Sequence, residues 1–186
     1  MKKNLGKLSN KELGQLFPVI IEEYNPAWSD IFTEEKNKIA DAFDKKQIIR
    51  IEHIGSTAVK NLSAKPTIDI LFEINEFEER ESFIDQFQKL GYRFISRPEN
   101  PAPGMMFVKG YTDEGFKGQA FHIHVRYEGN WNEIHFRDYL RAHPEVAAEY
   151  EKLKLKMAER FRNDREAYTE SKTDFITKIN KLARTE

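Results

Sequence analysis

The sequence predicts an α+β fold, on three observations. Short isoleucine- and phenylalanine-rich runs, several with two-residue alternation, recur between residues 17 and 127. Apolar residues at helical spacing separate them, and beyond Trp131 helical spacing alone continues to the C-terminus. Strands interspersed with helices and then a purely helical stretch is the pattern of α+β architecture, not of regular βαβ alternation. With 186 residues, 39% of them hydrophobic and 14 of them Phe, the chain can bury a core of its own. We expect one domain over residues 1–186: a sheet-bearing core over 17–127 and a helical extension over 131–186 packed on it.

After a short polar start, FPVIIEEY (17–24) reads as a strand, and Asn25-Pro26 as the N-cap and first position of a helix. That helix is expected to run to Lys46, because Trp28, Ile31, Phe32, Ile39 and Phe43 form one apolar stripe. QIIRIEHI (47–54), ended by Gly55, is a strand. In TIDILFEI (67–74), Ile68, Ile70, Phe72 and Ile74 point one way and Asp69, Leu71 and Glu73 the other. FEERESFIDQFQKLG (77–91) is an amphipathic helix with Phe77, Phe83, Ile84, Phe87 and Leu90 inward and Gly91 as its stop. YRFIS (92–96) returns as a strand, and RPENPAPG (97–104) is a loop. MMFVKGY (105–111) and QAFHIHVRY (119–127) make an antiparallel pair across the turn-rich DEGFKG. FRDYLRAH (136–143) is a helix stopped before Pro144, a second follows from Pro144, and Asp164 caps a third through the terminal REAYTESKTDFITKINKLA.

Charge narrows the function. Thirty basic against 31 acidic residues, net −1, supply no long-range field that would gather the protein on nucleic acid, which is therefore not expected as the main partner. A small phosphorylated ligand needs only a local basic site. The mixed-charge runs EFEERESFID and EKLKLKMAER read as solvated helix faces. The chain has no apolar run near the roughly 20 residues that cross a bilayer, no apolar h-region at its start, and no cysteine. We expect a cytoplasmic protein without a membrane partner and without thiolate metal sites.

The residues that carry chemistry begin at HIGSTAVKNLSAKPTIDI (53–70). Gly55 and Ser56 follow a strand, and such a turn aims backbone N–H groups and the Ser56 and Thr57 hydroxyls at an anion; an ordinary strand-to-helix turn capped by serine is the plain alternative. Lys65 lies between that turn and Asp69. A carboxylate inside an isoleucine strand is costly if unpaired, so Asp69 is either solvent-facing or functional. Glu73 shares its face but stands roughly 13 Å along the strand, too far to join one ion without a bend. On the later strand Ala120, His122, His124 and Arg126 form one side, and Phe121, Ile123, Val125 and Tyr127 the other. If the two strands are neighbours, Asp69, His122, His124 and Arg126 cluster. His53 can hydrogen-bond within the turn. Arg137 and Arg141, beside Asp138, suit ion pairing as well as a triphosphate tail, and Tyr168 and Lys172 share a face of the last helix.

HIGSTAVKNLSAKPTIDI, HIHV, FRDYLRAHPE and YTESKTDFITKI together resemble the GrpB-like proteins, a branch of the nucleotidyltransferase superfamily related by fold to polymerase beta. The resemblance runs from Ile20 to Leu182. It implies a mixed sheet carrying the Gly-Ser turn and Asp69, flanked by helices, with C-terminal helices alongside. In the superfamily the Gly-Ser turn is followed by two acidic residues one position apart and a third on a nearby strand. Gly55, Ser56 and Asp69 match; the second acidic position is Leu71, which does not.

The expected function is nucleotidyl transfer from a nucleoside triphosphate to an unknown acceptor. Gly55, Ser56, Thr57, Lys65, Arg126, Arg137, Arg141, Tyr168 and Lys172 would hold phosphates; Asp69 would bind a divalent metal, magnesium or manganese with zinc as a further candidate; His122 or His124 would complete the ligand set or act as base. Two other readings stand beside it: a non-catalytic protein binding a nucleotide or another phosphorylated small molecule, and a histidine-based metal hydrolase.

Overall fold

The computed structural model describes residues 5–76 and 80–186. The strands are β1 (Ile48–Ile54), β2 (Thr67–Ile74), β3 (Arg93–Ser96), β4 (Met105–Thr112) and β5 (Gly115–Tyr127), and they form a mixed sheet in the order β1-β2-β5-β4-β3. β1 pairs antiparallel with β2, β2 parallel with β5, and β4 antiparallel with both β5 and β3. Helices α1 (Asn10–Leu16), α2 (Ala27–Ala42) and α3 (Arg80–Lys89) lie in the first half of the chain; α4 (Asn132–Ala142), α5 (Pro144–Arg160), α6 (Arg165–Glu170) and α7 (Thr173–Ala183) follow the sheet. The architecture is the α+β mixed sheet with helices that the sequence predicts.

Alternation decides what each face of the sheet does. Ile68, Ile70, Phe72 and Ile74 of β2 and Phe121, Ile123 and Val125 of β5 share the main core with Trp28, Ile39, Phe83 and Phe87 from α2 and α3. Phe43, Phe72, Phe83, Phe87 and Phe107 are in ring contact there. The opposite face carries Asp69 and the histidines. A second core joins Leu140, Tyr150 and Phe175, from α4, α5 and α7, to Val59 and Leu62, just beyond the Gly-Ser turn. The C-terminal helices thus pack against the segment that carries the turn.

Several boundaries differ from expectation for local reasons. Residues 17–24 are not a strand; their ladder is a single bridge between Glu22 and Ala64, and Val19 N–H instead donates to Arg162 O at 2.7 Å. The run is apolar because Val19 packs with Met157, Ala158 and Tyr168, so burial against helices imitates a strand signal. The polar start conceals α1, whose Ser9 and Glu12 form a capping box. α2 stops at Ala42, short of Lys46, where Asp44 Oδ1 accepts from Lys46 N–H in a turn. α3 is observed from Arg80, and Phe77 lies outside the described residues. β5 begins at Gly115, because the hairpin turns at Asp113–Glu114 and not across the whole of DEGFKG. The last helix breaks at Ser171–Lys172 into α6 and α7, with Ser171 Oγ donating to Tyr168 O at 2.8 Å.

Candidate functional site

Gly55 ends β1 with φ +71°, a conformation that side chains disfavour, and opens a short 3₁₀ turn, Ser56–Ala58. The register sets Ile54, its neighbour, opposite Asp69 of β2, so the turn lies against the carboxylate. A Cβ at Gly55 would stand 2.7 Å from Asp69 Oδ2. Both the dihedral angle and the approach therefore require glycine.

The parallel pairing of β2 with β5 puts Asp69 beside His122 and Leu71 beside His124. His122 Nδ1 is 3.3 Å and His124 Nε2 3.4 Å from Asp69 Oδ1, and one ligand atom from each of the three lies within 4.8 Å of the others. The side chains keep 28%, 14% and 22% of their exposure for Asp69, His122 and His124, enough for a ligand to reach them. Burial would raise the Asp69 carboxyl, but hydrogen bonds and charge from His122 and His124 outweigh it and hold it far below the usual carboxylate range. Burial pulls His122 down against the same carboxylate. At neutral pH Asp69 is the ionised member of the cluster and His122 the neutral one. Tyr111, on β4, stands 2.7 Å from His122 Nε2 through its hydroxyl, and Arg165 donates to that hydroxyl at 3.5 Å.

The cluster opens into a cleft of ≈ 810 Å³. Its other wall is cationic and aromatic. Lys172 Nζ lies 4.2 Å and Lys65 Nζ 5.6 Å from the centre of the Tyr168 ring, and Lys154 Nζ lies 5.0 Å from that of Tyr150. Lys154 also donates to Ser63 O. Tyr150 and Ser56 share a side-chain hydrogen bond, which ties this wall to the turn. Burial pulls the amines down, Lys65 and Lys172 to about 8 and Lys154 to about 7; their mutual repulsion, with Arg165 acting on Lys65, adds to this, and nearby carboxylates (Asp69 for Lys65 and Lys172, Glu151 for Lys154) oppose it. Among the described residues none of the three has a carboxylate within ion-pair distance. Three crowded amines in that state attract an anion.

Gly55, Ser56, Thr57, Lys65, Asp69, His122, His124, Tyr168 and Lys172 thus all line one cleft. Four other predicted residues do not. Arg137 donates to Glu52, Asp138 and the His53 carbonyl, and Arg141 to Ala58 O and Asp138. Arg126 bonds Val125 O and Glu133 and lies over the Trp131 ring. These arginines are bonded to carbonyls and carboxylates of the framework and do not line the cleft that holds Asp69. His53 pairs with Ile70 in the register, so it lies on the sheet face opposite Asp69, stacked on Phe32. Thr57 Oγ1 spends its proton on Thr67 O, so His53 Nε2–H donates to Thr57; burial pulls this ring down to about 4.

Sequence reading missed Lys154, Tyr150, Tyr111 and Arg165. Lys154 is 2% exposed, so EKLKLKMAER is not a wholly solvated face. A signal existed: Tyr150 and Lys154 repeat the i, i+4 spacing of Tyr168 and Lys172.

The profile described as GrpB protein matches residues 18–182. The glutamate-rich protein GrpB of Alkalihalophilus pseudofirmus is 36% identical over 165 residues, which are 87% of this chain and 93% of that protein. The UPF0157 protein YqkA of Bacillus subtilis is 35% identical over 87% of this chain and 46% of its own length, so the chain spans about half of that relative. The crystal structure of conserved protein GrpB from Enterococcus faecalis superposes with a TM-score of 0.77 at 32% identity, covering 88% of this chain and 96% of that one. The Cid1 poly(U) polymerase, in a structure with Mg and 3′-dATP bound, superposes with a TM-score of 0.53 at 11% identity, covering 81% of this chain and 49% of Cid1, a likeness of fold. Among the described residues no helix is long and apolar enough to cross a membrane.

Proposed function

Because this chain belongs to the GrpB protein family and has a nucleotidyltransferase-like fold, we propose that its cleft binds the triphosphate of a nucleoside triphosphate and transfers the nucleotidyl group to an acceptor nucleophile. The observation that carries this reading is the wall of Lys65, Lys154 and Lys172 facing the Gly55-Ser56 turn and Asp69 across one cleft. Ammonium groups depressed by burial and mutual repulsion regain their charge against a polyphosphate, and each charge-assisted hydrogen bond contributes about 1.5–3 kcal/mol.

In the transfer the acceptor oxygen attacks the α-phosphorus, the bond from that phosphorus to its bridging oxygen breaks, and pyrophosphate leaves. The lysines bind the departing charge, and Arg165, which also lines the cleft, adds to it. The acceptor lies against the Asp69, His122 and His124 cluster on the opposite wall, and its proton leaves through the open cleft to solvent. Superfamily chemistry uses clustered carboxylates around paired divalent ions. The residues here do not fit that arrangement: Leu71 is fully buried in the second acidic position, and Glu73 is engaged by Arg50 and the Gly129 N–H. No step is therefore routed through an ion pair.

Leu71 also supports a second reading, in which the protein binds a nucleotide without transferring it. Calorimetric titration with nucleoside triphosphates, coupled to an assay of pyrophosphate release, separates the two. Binding weakened at least tenfold in Lys154→Met, with release in the wild type, supports transfer. Binding without release from any acceptor leaves the second reading. No binding of any nucleoside triphosphate or of tripolyphosphate ends both.

A further inference from the structure

We propose that Asp69 Oδ1, His122 Nδ1 and His124 Nε2 hold one first-row transition-metal ion of the zinc or manganese class, in place of the magnesium ions of carboxylate-based nucleotidyl transfer. The inference concerns the cleft of the nucleotide reading and rests on that reading for its role, but not for its geometry.

The distances are long for the hydrogen bonds of an ion-free cluster and match the spacing of ligands around a metal. A charge-assisted bond between an imidazole N–H and a carboxylate closes to about 2.7–2.9 Å. Here the two contacts to Asp69 Oδ1 are 3.3 and 3.4 Å, in a part-buried site where nothing else competes for that oxygen among the described residues. Ligand atoms about 2.0–2.1 Å from a tetrahedral zinc stand roughly 3.4 Å from one another. Two edges of the triangle already have that length, and the third lies within 4.8 Å. Three protein ligands leave a position open toward the cleft, as catalytic rather than structural sites do.

The surroundings fit as well. A metal-bound histidine donates its remaining N–H to an oriented acceptor. His122 Nε2 has one in the Tyr111 hydroxyl at 2.7 Å, whose ring stacks on the imidazole at 5.6 Å and whose oxygen is held by Arg165. With an ion bound, His122 takes the tautomer protonated at Nε2, and its Nδ1 then turns a lone pair to the cation instead of a proton to Asp69. Leu71 removes the second carboxylate, and its partner across the strand pair is His124. An imidazole is thus supplied next to the position where an oxygen ligand is absent. Magnesium seeks oxygen ligands in octahedral geometry; two imidazoles and one carboxylate select zinc, manganese, iron or cobalt.

The test uses the full chain, stripped of metal and reloaded with zinc, manganese or cobalt(II) in the presence of excess magnesium. After gel filtration we expect one ion per chain, measured by mass spectrometry of the metal content, and for cobalt a visible absorption spectrum of nitrogen-ligated ion. Asp69→Asn and the double variant His122→Ala/His124→Ala should retain no ion, with circular dichroism confirming that they fold. The cobalt spectrum of the wild type does not depend on those variants. Displacement of the ion by magnesium, retention unchanged in the variants, or a cobalt spectrum of oxygen ligation only would each overturn the proposal. Titration of metal-free protein with inorganic tripolyphosphate keeps the two readings apart: tripolyphosphate binding without ion retention removes the metal site and leaves the nucleotide reading, and the reverse pattern removes the nucleotide reading alone.

Discussion

Lys154 and Gly55 show how much rests on individual side chains. Lys154 is buried, bonded to a carbonyl, and among the described residues has no carboxylate at ion-pair distance, so its position costs stability that the proposed anion would return. Lys154→Met should weaken tripolyphosphate binding about tenfold or more, roughly 1.4 kcal/mol per factor of ten, in a calorimetric titration. Gly55→Ala should be worse than its size suggests, because the methyl group meets Asp69 Oδ2 and the positive φ penalises any Cβ. We expect a loss of about 1–2 kcal/mol in denaturant unfolding together with loss of nucleotide turnover, since the carboxylate must move. Leu71 was visible as a departure from the acidic pattern in the sequence. The reason that it matters, His124 beside it on the next strand, was not visible, because register is a property of the folded sheet.

Among the elements, β2 and β5 were legible from their period-two patterns and α5 from its apolar spacing. The false strand at 17–24 and the hidden α1 arise from one ambiguity: apolar density signals burial, whereas the Ser9-to-Glu12 cap signals helix, and the cap is the quieter signal. α4 illustrates the limit for function. Arg137 and Arg141 looked suited to a triphosphate at i, i+4, yet α4 packs beside β1, where Glu52 and the His53 carbonyl take up Arg137. Arg137→Ala should lower unfolding free energy by about 1–3 kcal/mol, because a buried carbonyl and a carboxylate lose their donor, and should leave tripolyphosphate affinity unchanged. Loss of affinity without loss of stability would return Arg137 to the site.

For the whole molecule, the two walls of the cleft come from parts of the chain with different tasks. The aromatic core under β2 and β5 supplies rigidity, and Phe87, fully buried among aromatic rings, should cost about 3–5 kcal/mol as Phe87→Ala in thermal unfolding. The lysine wall makes stability and binding depend on pH in opposite directions. Burial lowers Lys154 to about 7 and Lys65 and Lys172 to about 8, from an ordinary 10.5. Between pH 7 and 10.5 the unfolded chain therefore holds protons that the folded lysines have shed. Their contribution to stability is lowest below about pH 7 and rises through that window. Polyphosphate affinity should fall over the same rise in pH, and binding at pH 8 should take up protons, read as a dependence of the calorimetric heat on buffer ionisation enthalpy. Binding without proton uptake at pH 8 would show that these lysines are not where the anion sits.

By itself, the sequence determined the α+β class, the two faces of β2 and β5, the Gly-Ser turn ahead of Asp69, and the family, because these depend on local periodicity, turn chemistry and motif spacing. Tertiary structure alone decided that Asp69, His122 and His124 converge, that Lys154 joins Lys65 and Lys172, and that Arg126, Arg137 and Arg141 find carbonyl and carboxylate partners outside that cleft. Those outcomes turn on strand order, register and which helix face meets the sheet, and a charged residue reads alike in sequence whether its partner is water, a buried carbonyl or a ligand.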